Sequence, residues 1–171
     1  MKNSLGVPVS ILALSLPGLG LGCSSSSDPS SSSSGNCAAQ TLTCADILPT
    51  ATLLATLPVA TEYTETAHPR CTFKAPSTSS FSVFCGGEEL YASQLANAQK
   101  AFPGSVTETD SVGQKSFEVV VGAPATSGST AEVAALSTNG KFVFDISLGS
   151  AAANIDDTRV LAAAIDTNLS K

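Results

Sequence analysis

The sequence predicts an α+β domain: a mainly antiparallel sheet with helices packed on one face, in the order α-β-β-α-β-β-β-β-α. Three observations carry this. Asn139-Gly140 lies between two runs of alternating apolar residues, the pattern of a hairpin. Tyr91, Leu95, Ala98 and Phe102 recur at helical spacing, as do Leu161, Ile165 and Leu169. Turn-rich Pro76-Ser-Thr-Ser79 separates two further strand-like runs, 70–75 and 80–86.

The first element is the segment Cys44-Ala-Asp-Ile-Leu48, a helical turn running into Pro49, a residue favoured at helix starts. Leu53, Leu54 and Leu57 supply its buried face and Pro58 stops it. In the hairpin that follows, a turn centred on Thr78 sets Phe73 opposite Val83 and Cys71 opposite Cys85. Gly86-Gly87 break the strand, a helix runs from about Glu88 to Phe102, and Pro103-Gly104 end it. Two strands follow at 106–112 and 117–121, the second turning Phe117, Val119 and Val121 inward.

The Asn139-Gly140 turn then places Val133 against Ile146 and Ala135 against Phe144, with Glu132 and Asp145 on the polar face. Asp156 reads as the N-cap of the last helix, with Ile155 stapled onto Val160. No internal repeat is visible.

Ahead of this domain, residues 1–22 read as an export signal: Lys2, an apolar run from Val7 to Leu16, and small residues before Cys23. The run is shorter than the roughly 20 residues that span a bilayer. Its end resembles a bacterial lipobox, because Gly22 directly precedes Cys23, although Leu21 and Leu19 flank Gly20 one place off the usual pattern. The resemblance implies a diacylglycerol on Cys23; ordinary signal cleavage nearby is the alternative. Residues 23–36 are then a lipidated cysteine and a serine-rich tether, too polar to order itself, with a reach of roughly 20 Å. Residues 37–171 are left as one disulfide-stapled domain.

Charge narrows the function. The net charge is −6, and the eight basic residues form no cluster. Nucleic-acid binding and polybasic lipid contacts both need concentrated positive charge, so nucleic acid is excluded as a partner. The low charged fraction, 13%, suits an extracytoplasmic surface.

With Cys23 lipidated, Cys37, Cys44, Cys71 and Cys85 remain, and an even number in an exported chain implies two disulfides. Zinc is a poor competitor without a C-x-x-C pair and with only His68 to help.

The element order and certain residues resemble a family of small actinobacterial lipoproteins of unknown function, similar in style to the extracellular sensor domain of a mycobacterial serine/threonine kinase. The matching residues are Cys44-Ala-Asp-Ile-Leu48, Cys71-Thr-Phe73, Val112-Gly113 before Phe117, and Leu161-Ala-Ala-Ala-Ile165. Phe73 stands where Trp is usual, and Cys37 and Cys85 are extra. The resemblance implies a binding or interaction domain with no catalytic residues to carry over. It also implies a Cys44–Cys71 disulfide, which leaves Cys37 for Cys85. The rival arrangement, Cys71–Cys85 with Cys37–Cys44, stays open.

Catalytic candidates are sparse. His68 is the sole histidine and sits in a Pro-flanked loop. No G-x-S-x-G elbow surrounds any serine. Glu88-Glu89 and Asp156-Asp157 sit at helix starts, where the dipole favours carboxylates. Glu108 and Asp110 share a strand face, ordinarily a solvated one; carboxylate catalysis would need acids converging in a concave, partly buried site. No catalytic, metal or cofactor residues are therefore expected.

The expectation is a lipid-anchored binding or sensing module on the cell membrane or outer membrane, facing the periplasm or exterior. Its partners would be the membrane, through Cys23, and an envelope protein or small ligand. The alternative is a structural or assembly-accessory envelope lipoprotein.

Overall fold

Residues 41–61, 63–67, 70–75, 77–122, 128–149 and 154–171 are described by the computed structural model, all within the unit Ser34–Lys171. The first elements are α1 (Cys44–Ile47), α2 (Thr50–Thr56), β1 (Thr64–Ala67), β2 (Arg70–Lys74) and β3 (Thr78–Cys85). Then come α3 (Glu88–Ala101), β4 (Val106–Thr109), β5 (Lys115–Val121), β6 (Thr130–Leu136), β7 (Phe142–Gly149) and α4 (Ile155–Leu169). The strands form one sheet in the order β1-β2-β3-β7-β6-β5-β4, and every neighbouring pair is antiparallel. The α+β class is as the sequence predicts. The element order differs in detail.

The first helix is two. A capping box joins Thr43 and Asp46 at the start of α1: the Thr43 hydroxyl accepts from the Asp46 N–H, and the Asp46 carboxylate accepts from the Thr43 N–H at 2.8 Å. Leu48 precedes a proline, which disfavours helical backbone there, and it is extended at φ −131°, ψ 98°. The chain restarts as α2 after Pro49. Leu53 and Leu57 are buried as predicted, but Leu54 is 40% exposed. Edge strand β1 was not predicted; Thr-Glu-Thr-Ala carries no apolar alternation to announce it.

The β2–β3 hairpin is tighter than predicted. Phe73 pairs with Ser79 and Cys71 with Phe81, so Cys71 does not oppose Cys85, which pairs instead with Phe142. The Ala75 N–H donates to the Ser77 carbonyl at 2.8 Å and closes the turn early. This places Phe81 and Val83 against Ile146 and Phe144 of β7, where all four are buried. An even register shift leaves each side chain on its predicted face.

The β6–β7 register is as predicted, Val133 with Ile146 and Ala135 with Phe144. The turn is wider than a two-residue one. The Gly140 N–H donates to the Ser137 carbonyl, Gly140 takes φ +70°, and the Ser137 N–H donates to Phe142. Helix α4 is capped by Asn154 rather than Asp156: its side chain accepts from the Asp156 N–H. Val160 is 54% exposed, so the predicted staple from Ile155 is not made.

The main correction concerns the helices, which cover both faces of the sheet. Helices α1, α2 and α4 pack on the face of Phe81, Val83, Val133, Phe144 and Ile146, contributing Ile47, Leu53, Leu161 and Ile165. Helix α3 packs on the other face, where Tyr91 meets Phe117, Val119, Ala134, Leu136 and Val143. Glu118 pairs with Val133 and Phe117 with Ala134, so strand alternation sends Phe117 and Val133 to opposite sides. The apolar residues of β5 thus call for their own cover, which α3 supplies. Its stripe is incomplete, since Phe102 is 41% exposed.

Candidate functional site

The two rows of residues running across the sheet beneath α3 mix charge with apolar surface. One row runs Arg70, Ser82, Asp145, Ala134, Phe117, Glu108. The adjacent row runs Thr72, Ser80, Ser147, Glu132, Val119, Val106. Glu132 on β6 and Asp145 on β7 are therefore diagonal neighbours on one face, a separation long side chains bridge.

Between these acids and the second half of α3 lies a cavity of about 280 Å³. Gln94, Asn97, Ala98 and Ala101 wall it from the helix, and Phe117, Glu132 and Asp145 from the sheet. Burial pushes the Asp145 carboxyl up from 3.8 to about 7, and the nearby Glu132 charge pushes in the same direction. The charge of Arg70 and the Ser82 hydroxyl pull it part of the way back. Burial also raises Glu132. Arg70 is the one cation acting on Asp145 among the described residues. Such a pair can retain a proton near neutral pH, accept hydrogen bonds, and neutralise a positive ligand. Among the described residues, no group of three or more His, Cys, Asp or Glu gathers with the spacing of a metal site.

A second cavity, about 250 Å³, lies at the far edge of the sheet among Thr61, Thr64, Thr72, Phe73, Lys74 and Thr78. Among the described residues it is lined largely by hydroxyls and holds no pair of interacting carboxyls.

Glu108 and Asp110, the acids the sequence offered, are exposed, and Glu108 accepts from the Gln99 amide at 3.4 Å. The pair the fold brings together is Glu132 and Asp145, which the sequence places on a solvated face. A signal for them exists. Val143, Ala134 and Leu136 share their face, so that face is not uniformly polar and some element must cover it.

The disulfide between Cys44 and Cys71 is formed, with Cα atoms 5.8 Å apart, and it ties α1 to β2. This excludes the rival arrangement. Cys85 is itself disulfide-bonded. Cys37, Cys23, the tether and His68 lie outside the described residues. Among the described residues no helix is long and apolar enough to cross a membrane. No family model matches the chain, and no curated protein or solved structure matches it significantly.

Proposed function

We propose that this chain is a lipid-anchored, extracytoplasmic binding module that holds a small ligand in the cavity beneath α3. One observation carries the binding half of this reading. The core beneath α1, α2 and α4 is filled with fully buried side chains, whereas the α3 side leaves a cavity floored by two half-buried carboxyls. Small-ligand sites combine apolar walls with a few placed polar groups in this way. The anchoring half rests on the leader, Gly22-Cys23 and the serine tether.

Thermal-shift screening of the full chain against small charged and polar compounds tests the binding half. Stabilisation that disappears in both Glu132→Gln and Asp145→Asn supports it; hits indifferent to both variants remove the cavity from the proposal. Fractionation of cells expressing Cys23→Ser tests the anchor, which is lost if the variant stays with membranes as the unaltered chain does. In a cell with two membranes, Ser24 after Cys23 favours the outer one, because the Asp that commonly signals inner-membrane retention is absent there.

Acid–base catalysis is the second reading, favoured by the same pair: two carboxyls held above their usual range in a concave site. Turnover of any substrate that stops in Asp145→Asn would replace binding with catalysis.

A further inference from the structure

We propose that the cavity beneath α3 selects a small organic monocation, a primary ammonium on a short apolar or aromatic body. This rests on reading the cavity as a ligand site.

Charge balance sets the sign and the number. Two carboxyls, Glu132 and Asp145, line the cavity, and Arg70, which does not line it, is the one cation among the described residues whose charge acts on Asp145. With both acids ionised and Arg70 offsetting one of them, one negative charge is left over, room for a single positive one. The hydrogen bonding is equally lopsided. Asp145 has the Ser82 hydroxyl, while no hydrogen bond from a described side chain or backbone group reaches the Glu132 carboxyl, which opens on the cavity. A half-buried carboxyl that opens on the cavity and has no protein donor is free to meet an ammonium, and charge-assisted hydrogen bonds are the strong ones. The lid adds to this. The second half of α3 lies over the cavity, and a helix carries partial negative charge at that end. Lys100, in its last turn, is exposed and does not line the cavity.

The walls set the rest of the ligand. Ala98, Ala101 and the Phe117 ring are apolar, and an aromatic face attracts cations as well as carbon. A volume of about 280 Å³ is below that of most drug-sized sites and suits a body of one ring or a short alkyl chain. A metal ion fits poorly, because tight sites need three or more convergent ligands and the described residues gather no such set.

Three matched probes decide it: benzylammonium, benzyl alcohol and benzoate, measured against the full chain by saturation-transfer NMR at pH 8. The expected result is benzylammonium binding at least about tenfold tighter than the other two, the scale of one buried charge-assisted bond. Glu132→Gln should remove that preference while leaving the benzyl alcohol signal unchanged. Arg70→Gln should strengthen benzylammonium, because it frees a second negative charge. Benzyl alcohol or benzoate binding as tightly as benzylammonium overturns the cation while the ligand site stands. Silence from all three overturns the ligand site and the cation together. A Glu132→Gln chain that retains its circular dichroism and its full preference for benzylammonium also sinks the proposal.

Discussion

Glu118 and Arg159 form a two-armed ion pair between sheet and final helix. Arg159 Nε donates to Glu118 Oε1 at 2.6 Å, and Nη2 donates to Oε2 at 2.7 Å. The Glu118 side chain is 6% exposed, on the face that α4 covers, and the Ser111 hydroxyl donates to it at 3.3 Å. Asp156, three residues before Arg159, accepts from Nη1 at 2.7 Å. The pair closes the side of the main core where β5 would otherwise face α4 with a bare carboxylate.

Arg159→Met should therefore destabilise the domain by about 2–3 kcal/mol, since it strands a buried charge. The double variant Glu118→Leu/Arg159→Met should recover most of that loss, because no unpaired charge remains. Urea midpoints of the three proteins check this. A double variant weaker than Arg159→Met alone would mean that the pair supplies net stability rather than relief from burial.

The Cys44–Cys71 bond closes a separation of 27 residues. Loops of that size contribute about 3 kcal/mol. Replacing both cysteines with Ala should lower the unfolding free energy by that amount and leave the far strands β4–β6 paired. Non-reducing peptide mapping of the native chain should find Cys85 joined to Cys37; an alkylatable Cys85 thiol would refute that pairing.

Asp145 makes stability fall with rising pH. Its carboxyl titrates at about 7 in the folded protein against 3.8 as the ordinary value. Between those limits the folded state binds more protons than the unfolded chain, so stability declines as pH rises and levels off above about 7. Asp145→Asn carries no titrating group there. Its advantage over the unaltered protein should grow from pH 4 to pH 8 and reach roughly 1–3 kcal/mol. Glu132 acts on Asp145 through its charge, so the difference reports the coupled pair, with Asp145 the larger contributor. A difference that stays flat across this range would show that Asp145 is ionised throughout.

Gly113 precedes β5 at φ +66°, and a Cβ built there would lie 2.1 Å from the Leu136 carbonyl oxygen. That oxygen accepts from the Gln114 N–H at 2.9 Å, so backbone on both sides is fixed. Gly113→Ala should cost at least about 2 kcal/mol, more than strain at a positive φ alone. Thermal melting checks it; Gly104→Ala, with the same sign of φ and open space around it, is the control.

Local chemistry was legible in the sequence where it decides the outcome. Asn139-Gly140 and the alternation around it carry the β6–β7 register, because a one-residue slip would expose Val133, Ala135, Phe144 and Ile146 together. The spacing of Leu161 and Ile165 identifies the buried face of α4 for the same reason. What was not legible is non-local. Nothing within 88–101 says which side of the sheet α3 crosses to, so Phe117 and Val133 read as one core when they belong to two. The candidate site was lost at that step: Glu132 and Asp145 read as solvated acids because the cover over them comes from a segment more than 30 residues earlier in the chain. The β2–β3 turn was misplaced for a related reason, since pairing with β7 sets where β3 must lie.

The last helix closes the structure in time as well as in space. Leu161, Ala162, Ile165 and Leu169 complete the core over Phe81, Val83, Phe144 and Ile146, and the Asn168 amide reaches back to the Ile47 carbonyl at 3.1 Å. Strand β7, which joins the two halves of the sheet, is made only shortly before it. For a chain emerging from its N-terminus, β1–β3 therefore lack their inner neighbour, and α1 lacks its floor, until β7 and α4 have appeared. The half of the domain built on β1–β3 thus gains its packing late, when the final helix is free to dock.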